Sequence, residues 1–440
     1  MLKVPIDILK QIYTFIEDDN ISLSQANRLL RMIYLQNIVS LELSPQLLFC
    51  DGKSPNNILT HYISSRTNIN KLKFINFTMK HQQYLSNLIL SLQDNIILLP
   101  KIKKVKFDGI KHYLNKVDKS NHFNNSLLNF LSTLTLESIH LQLVHTISCT
   151  NVQHIINIPT LKYIKLRNDY NMCQKIKKYN FTFKNNKELT KVTFIYSGES
   201  KITIDALNVC PKLKSLNFIN IGKAVVHIQS LFKVSSTIIP LLNNHYWPNI
   251  TRLTLSHICC VKEEYIPLLN NFPNLEYLLI DLYDGIDYSI IFKKLVKLQT
   301  LIVCIISGQL IIPLVTLPNI KILQINNIQN FDHISEYIQM ISVTCVNLQI
   351  LSIERGIIYS HDLKLLVDSC PKLIVLDINL SYAITIEEIK YLLDNLKMIK
   401  YILIEKYHKE KCAPLNLQYP FVSFYIGRKL KIHKICNIEL

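Results

Sequence analysis

One short phrase recurs along this chain and constrains its fold more than any other feature. The phrase has a small or apolar residue, usually a proline, any residue, and then three aliphatic residues in the pattern Leu-x-x-Leu-x-Leu. Its clearest copies are CPKLKSLNF (210–218), WPNITRLTL (247–255), FPNLEYLLI (272–280), LPNIKILQI (317–325), CVNLQILSI (345–353) and CPKLIVLDI (370–378). A phrase repeated this often predicts a repeat array, in which each unit buries its apolar side chains against its neighbours.

Looser copies of the phrase fill the gaps and extend the array toward both ends. They are INKLKF (69–74), LPKIKKVKF (99–107), LESIHL (136–141), IPTLKYIKL (158–166), KELTKVTF (187–194), VKLQTLIV (296–303) and MIKYILI (398–404). With the first aliphatic residue of each copy as its marker, thirteen units run from Ile69 to Ile399 at a mean spacing of about 27.5 residues. The phrase and the spacing resemble those of leucine-rich repeats, whose units have roughly 20 to 29 residues.

Each copy of the phrase predicts a short parallel strand, and segments between copies predict helices. In Leu-x-x-Leu-x-Leu the last two aliphatic residues point into the core, while the residues between them face the concave side of a horseshoe. TIEEIKYLLDN (385–395) has Thr385 as N-cap and Glu388 three residues later, which is a capping box. SHDLKLLVDSCP (360–371) starts at Ser360 and ends at a proline. We therefore predict an α/β leucine-rich-repeat solenoid with about 13 irregular repeats.

The N-terminal segment VPIDILKQIYTFI (4–16) predicts an amphipathic helix. Pro5 suits the first turn of a helix, and the apolar residues that follow form a single stripe. These stripe residues are Ile8, Leu9, Ile12 and Ile16. The segment resembles the opening of an F-box, Leu-Pro-x-Glu-Ile-Leu-x-x-Ile-Phe-x-x-Leu, and together with the repeats it resembles the F-box proteins with leucine-rich repeats. The alternative is a plain helical cap that closes the end of the array.

The F-box resemblance implies a role in ubiquitin transfer. Residues Pro5, Ile8, Leu9, Ile12 and Ile16 would dock on the Skp adaptor of a cullin-based ubiquitin ligase. The repeats would capture the target protein, whose identity the sequence does not give. Two alternatives remain open: a leucine-rich-repeat scaffold with no ubiquitin role, and binding of RNA or an acidic partner through basic residues.

Three segments divide the predicted chain. Residues 1–45 form a small, all-α, F-box-like domain, residues 66–405 form the leucine-rich repeats, and residues 406–440 form a C-terminal cap. Within the cap, FVSFYIGRKLKIHKI (421–435) alternates apolar and polar residues around Gly427. This pattern predicts a strand, a turn and a strand that close the far end of the array.

The common catalytic motifs are missing from the sequence. The eight glycines are too far apart to form GxGxxG or GxxxxGK, the loops that hold phosphate groups. Neither GxSxG nor HExxH occurs. We therefore predict that the chain is not an enzyme and has no cofactor.

The cysteines indicate packing rather than chemistry. The chain has eleven, none in a CxxC pair, which favours free thiols over a disulfide framework. Cys259 and Cys260 beside His257 lack a second ligand pair at zinc-finger spacing, so no metal site is predicted. Three cysteines occupy the same position ahead of the strand, where a small apolar group packs between units. They are Cys210, Cys345 and Cys370.

Charge and hydropathy limit the possible partners and compartments. The formal net charge is +17, but only seven of the 49 basic residues are arginine, which argues against nucleic-acid recognition. Pro5 and Asp7 interrupt what would be the apolar part of a secretion signal. The longest apolar run, 301–315, is too short for a membrane helix. We expect an intracellular protein, cytoplasmic or nuclear, without a membrane contact.

The register of the phrase predicts which side chains face out of each strand. In the first seven units these include eight basic residues, with Asp108 as the one acid: Lys71, Lys73, Lys104, Lys106, Lys165, Arg167, Lys191 and Arg252. In the last six units the same positions contain no Lys or Arg, and they include Tyr277, Leu279, Ile302, Ile322, Ile350, Val375, Tyr401 and Leu403 with Asp281, Glu354, Asp377 and Glu405. An exposed apolar patch with aromatic members is typical of a protein-binding site.

The predicted partner-binding residues come from both halves of this surface. They are Lys104, Lys106, Lys165, Arg167, Lys191, Arg252, Tyr277, Leu279, Ile322, Ile350, Tyr401 and Leu403. The alternative is that the aliphatic residues pack laterally on neighbouring strands and that the lysines form a solvated face. Deep burial of Tyr277, Ile322, Ile350 and Tyr401 would contradict the apolar patch.

Overall fold

The computed structural model describes a ladder of short strands, and its contacts divide the chain into two compact units. The described residues are 40–43, 69–75, 88–90, 92, 102–108, 120–142, 149–168, 178–183, 186–196, 201–205, 210–220, 246–256, 269–282, 288, 292–305, 317–326, 334–354, 358–378, 385–405, 422–426 and 429–434. Unit 1 comprises residues 1–169 and 184–186, and unit 2 comprises 170–183 and 187–440.

Unit 1 contains five parallel strands in the order of the chain. They are β1 (Ser40–Leu43), β2 (Lys71–Ile75), β3 (Lys104–Asp108), β4 (Ser138–Gln142) and β5 (Tyr163–Asn168). Helix α1 (Ser120–Thr133) precedes β4, and helix α2 (Cys149–Ile156) precedes β5. The alternation of helix and parallel strand is the α/β arrangement that the sequence predicts.

Unit 2 continues the same pattern with nine parallel strands. They are β7 (Lys191–Tyr196), β9 (Ser215–Asn220), β10 (Arg252–Ser256), β11 (Tyr277–Leu282), β12 (Thr300–Ile305), β13 (Ile322–Asn326), β14 (Ile350–Ile353), β15 (Val375–Ile378) and β16 (Tyr401–Glu405). Before β14, β15 and β16 lie α3 (Ile334–Thr344), α4 (Ser360–Ser369) and α5 (Ile386–Asn395).

The C-terminal hairpin closes the edge of the unit 2 ladder. Strand β18 (Lys429–Lys434) pairs antiparallel with β16, and β17 (Val422–Ile426) pairs antiparallel with β18. The two strands predicted within residues 421–435 are therefore confirmed, and residues 427 and 428 between them lie outside the described residues. An antiparallel hairpin occupies the hydrogen-bonding groups that a bare edge strand would leave open.

The predicted register is confirmed in both units. Each of the thirteen marker residues is followed two positions later by the first residue of a strand, from Lys71 to Tyr401. All thirteen markers are at most 2% exposed. The inward residues whose side chains the structure describes add to this core, and some of them stack across strands. The rings of Phe74 and Phe107, for example, stack with their centroids 4.7 Å apart. Side-chain alternation with period two explains why one phrase determines both core and surface.

Three strands are not predicted by the phrase. Strand β1 lies in the segment 1–45 that the sequence predicts to be all helical, yet it pairs in register with β2, and its Leu43 is buried. Strands β6 (Lys178–Thr182) and β8 (Lys201–Asp205) form a separate parallel pair in the insertions before β7 and before β9. None of the three carries the Leu-x-x-Leu-x-Leu pattern. Their strand structure depends on pairing with distant residues, which a local phrase does not encode.

The two predicted helix starts differ in how they are capped. At α5 the Thr385 hydroxyl accepts from the Glu388 N–H at 3.3 Å, and the Thr385 N–H donates to the Glu388 carboxylate at 2.6 Å. This confirms the predicted capping box. Helix α4 begins at Ser360 as predicted, but the Tyr359 N–H donates to the fully buried Asp362 carboxylate at 3.1 Å.

Candidate partner-binding faces

The outward side chains of each unit form what we call its open face, the side of the strands away from the buried core. In β2, Lys71, Lys73 and Ile75 are half-buried while Leu72 and Phe74 are inaccessible. In unit 2, β13 shows the same alternation, with Ile322, Gln324 and Asn326 outward. The structure therefore places the predicted partner-facing residues on one side of the strands of their unit.

The open face of unit 1 brings basic residues together. Lys71 is the cross-strand neighbour of Lys104, and Lys73 is the neighbour of Lys106. In the same row, His140 of β4 is the cross-strand neighbour of Lys106, and Lys165 of β5 is the neighbour of His140. Lys104 is exposed, whereas Lys73, Lys106, Lys165 and Arg167 are half-buried. Four of the predicted site residues, Lys104, Lys106, Lys165 and Arg167, thus share one surface.

The two remaining basic site residues lie at one end of unit 2. Lys191 and Arg252 are exposed and occupy the same row, with Ser215 of β9 between them. The Arg252 guanidinium lies over the Tyr277 ring, with Cζ at 4.1 Å from the ring centroid. Such a contact stabilises an exposed pair by roughly 0.5–1 kcal/mol. Arg252 is therefore joined to the apolar residues that begin at Tyr277, a contact that the charge pattern does not predict.

An apolar row crosses six neighbouring strands of unit 2. Its members are Tyr277, Thr300, Ile322, Ile350, Val375 and Tyr401, each the cross-strand neighbour of the next. The first five are half-buried and Tyr401 is 44% exposed. The four residues whose deep burial would contradict the apolar patch are thus all accessible. We call these six residues the apolar row.

The next row along the strands is apolar only at its ends. It runs Leu279, Ile302, Gln324, Ser352, Asp377 and Leu403. The Ser352 hydroxyl donates to the Asp377 carboxylate at 3.4 Å. Leu279 and Leu403, both predicted site residues, are half-buried but four strands separate them.

A third, polar row lies toward the carboxyl ends of the strands. Asp281 is the neighbour of Cys304, which is the neighbour of Asn326. The Asn326 side-chain amide donates a hydrogen bond to Cys304 Sγ at 3.7 Å. Burial, followed by the charge of Asp281, raises the pKa of the Cys304 thiol to about 11. Asp281 itself is inaccessible, although the register predicts that it faces out of the strand.

A set of polar side chains that the sequence analysis does not identify joins successive turns. In the position just before the marker, the amide of Asn274 donates to the Pro248 carbonyl at 2.8 Å, and Lys297 donates to the Asn274 side-chain oxygen at 2.7 Å. Lys372 likewise donates to Asn347 at 2.7 Å. The signal is present in the sequence, because ten of the thirteen copies of the phrase have Lys, Asn or Glu at this position. These contacts align the strands that form the open face.

In unit 1 the same edge carries an ion-pair cluster. The Glu137 carboxylate lies 2.7 Å from Lys103 Nζ and 3.3 Å from Lys162 Nζ. The hydrogen bonds from Lys103 and then Lys162 lower the pKa of Glu137. The half-buried Glu137 and the two exposed lysines thus connect β3, β4 and β5 at their starts.

The predicted adaptor-binding residues lie outside the described residues; they are Pro5, Ile8, Leu9, Ile12 and Ile16. His257, Cys259 and Cys260, at which no metal site is predicted, also lie outside them. Among the residues that the structure does describe, no three His, Cys, Asp or Glu side chains cluster closely enough to hold a metal ion. Within the same residues, no helix has the length and apolar character needed to cross a membrane.

Comparison with known proteins finds similarity in structure but not in sequence. No family model and no curated protein matches the chain. A chain of the TLR13–ssRNA13 complex is 17% identical, with 81% of this chain and 52% of that chain covered and a TM-score of 0.41. This protein thus spans about half the length of that one. A chain of the yeast Rad7 and Elc1 complex is 12% identical, with 74% of this chain and 73% of that chain covered and a TM-score of 0.37.

The leucine-rich-repeat domain of APL1B is a third similar structure. It is 12% identical, with 94% of this chain and 98% of that chain covered and a TM-score of 0.28. Identities and TM-scores this low say nothing of a shared partner. The fold assignment therefore depends on the chain itself. Thirteen copies of one phrase, each starting a parallel strand over a buried marker, form a leucine-rich-repeat array.

Proposed function

We propose that this protein is a binding scaffold that holds a protein partner on the open face of unit 2. The observation that supports this proposal most is the apolar row, which keeps two tyrosines and three aliphatic residues accessible across six strands. Apolar surface left in water costs about 25 cal/mol per Å² relative to its burial. A contiguous accessible stripe of this kind is typical of a surface that a partner covers.

We propose further that the chain is the substrate-recognition subunit of a Skp–cullin–F-box ubiquitin ligase. The support is the pattern of residues 4–16, in which Pro5 and the apolar stripe from Ile8 to Ile16 resemble the start of an F-box. In this role the N-terminal segment docks on the adaptor and the open face of unit 2 holds the target protein. A scaffold without a ubiquitin role is the alternative.

Co-purification with the Skp adaptor separates these two roles. The full chain is expressed with the adaptor, alongside a variant with Pro5→Ala and Leu9→Asp. The ligase role predicts that the wild-type chain retains the adaptor and that the double variant loses it. If the wild-type chain does not retain the adaptor, the ubiquitin role is wrong, while binding on the open face is unaffected.

A second pair of variants tests the open face of unit 2. Ile322→Asp and Ile350→Asp place two charges in the middle of the apolar row and should remove the partner that co-purifies with the wild-type chain. The matched control changes Val343 and Val346 to Asp, because both valines are exposed, at 77% and 50%, on and just after α3. Retention of the partner by the Ile322 and Ile350 variant would contradict the proposal.

A further inference from the structure

The open face of unit 1 has an unusual excess of one charge. Among the residues whose side chains the structure describes, strands β2 to β5 have ten outward positions, of which six are basic and none is acidic. The six basic residues are Lys71, Lys73, Lys104, Lys106, Lys165 and Arg167. Two carboxylate residues are aligned with this face in the backbone register, Glu42 with Lys73 and Asp108 with Ile75.

The lysines are also arranged side by side. Lys71 and Lys104 are direct cross-strand neighbours, as are Lys73 and Lys106. Neighbouring strands lie about 4.8 Å apart, and like charges directly opposite each other destabilise a sheet. Lys73 is aligned with Glu42 of β1 on its other side, so we expect the repulsion mainly between Lys71 and Lys104. A bound anionic group would offset the repulsion.

We propose that the open face of unit 1 binds an acidic segment of a protein partner, rich in Asp and Glu. This inference rests on the scaffold function proposed above. It adds a second binding surface, on unit 1, and specifies the chemistry of the segment that this surface binds. Outward residues lie about 6.6 Å apart along a strand and about 4.8 Å apart across strands. Alternate residues of an extended peptide have nearly the same spacing, so several carboxylates can lie beside lysines at once.

The composition of this face favours an acidic protein segment over a nucleic acid. Single-stranded nucleic acids bind mainly by stacking on aromatic side chains, and arginine is preferred for recognition of phosphates and bases. The ten described outward positions include one tyrosine, the half-buried Tyr163, and one arginine, Arg167. Lysine ammonium groups act as point charges and suit carboxylates that vary in position.

Fluorescence anisotropy with the full-length protein tests this proposal. The probes are a labelled peptide of about 12 residues with alternating Glu and Gly, the same peptide with Gln in place of Glu, and an oligouridine of about the same length. We expect the Glu peptide to bind, the Gln peptide not to bind, and the oligouridine to bind at least about tenfold more weakly. Raising the salt should weaken the Glu peptide's binding, because screening shortens the reach of each charge.

Variants of the protein locate the binding surface. Changing Lys71, Lys104 and Lys106 together to Gln should raise the Kd of the Glu peptide at least about tenfold, whereas the same positions changed to Arg should keep it within about twofold. The matched control changes Lys187, Lys214 and Lys293 to Gln, because these lysines are exposed but lie in unit 2. It should leave the Kd within about twofold of the wild-type value.

Three outcomes would overturn the proposal: equal binding of the Gln peptide, an equal loss in the control variant, or oligouridine binding at least as tight as the Glu peptide. The Ile322→Asp and Ile350→Asp variant should bind the Glu peptide normally. If the peptide does not bind while that variant still loses its protein partner, the basic-face inference fails and the scaffold function stands.

Discussion

The cysteines ahead of the strands show how much a single residue position can be predicted. Cys210, Cys345 and Cys370 occupy the same position of the phrase, and the structure buries all three, at 4% exposure or less. Burial raises the pKa of Cys210 to about 11 and that of Cys370 to about 12, and it raises the pKa of Cys345. Their role is packing between repeats, as the sequence predicts.

These shifts predict slow alkylation of the three thiols in the native protein. At pH 8 only about one Cys210 side chain in a thousand would be thiolate, against roughly a quarter for a thiol with an ordinary pKa near 8.5. Residue-by-residue mass spectrometry after iodoacetamide treatment measures this, with urea-unfolded protein as the control. Equal labelling of Cys210 in the native and unfolded protein would contradict the burial.

Asp281 and Asp362 show what a residue pattern does not predict. The alternation of the phrase predicts that Asp281 points away from the core, but not that its neighbours cover it completely. Asp362 is also inaccessible and accepts hydrogen bonds from the Tyr359 N–H at 3.1 Å and the Ser335 hydroxyl at 2.9 Å. Depth and hydrogen-bond partners depend on residues distant in sequence, so they follow only from the fold.

At the scale of elements, what is local in sequence is predictable. Thirteen strands start two residues after their markers, because the phrase carries both the core residues and the turn before them. The helices α4 and α5 follow from starts within the segment itself. Strands β1, β6 and β8 are missed, because they have no such phrase and form through pairing with other strands.

The capping box of α5 gives a prediction at this scale. Thr385→Ala removes the acceptor for the Glu388 N–H and should lower the free energy of unfolding by about 1 kcal/mol. The control is Ser360→Ala at the start of α4, where Tyr359 holds the cap position, with an expected change below about 0.5 kcal/mol. Urea unfolding measures both. An effect of Ser360→Ala as large as that of Thr385→Ala would contradict the assignment of the caps.

At the scale of the whole molecule, the sequence predicts the division of charge but not its arrangement in rows. The basic residues of β2, β3 and β5 share the open face of unit 1, and the apolar row lies in unit 2. The register adds which lysines are neighbours, and it places Arg252 on Tyr277. Neither follows from composition, because both depend on which strands pair.

The paired lysines predict a gain in stability when one charge is removed. Lys104→Gln relieves the repulsion with Lys71 and should raise the Tm of the free protein at low salt. The gain should shrink as salt is added, because exposed charges are screened over about 10 Å at 0.1 M ionic strength. Thermal unfolding at two salt concentrations measures this, with Lys293→Gln as control. A lower Tm, or a gain that salt does not change, would contradict the repulsion.

The claim that unit 2 holds a protein on its open face is tested most directly by photo-cross-linking. A benzophenone side chain is placed in one variant at Ile350, in the middle of the apolar row, and in another at Val343, on the exposed side of α3. We predict that the co-purified partner cross-links at Ile350 and not at Val343. Cross-linking at Val343 alone would place the partner on the helices and contradict the proposed binding face.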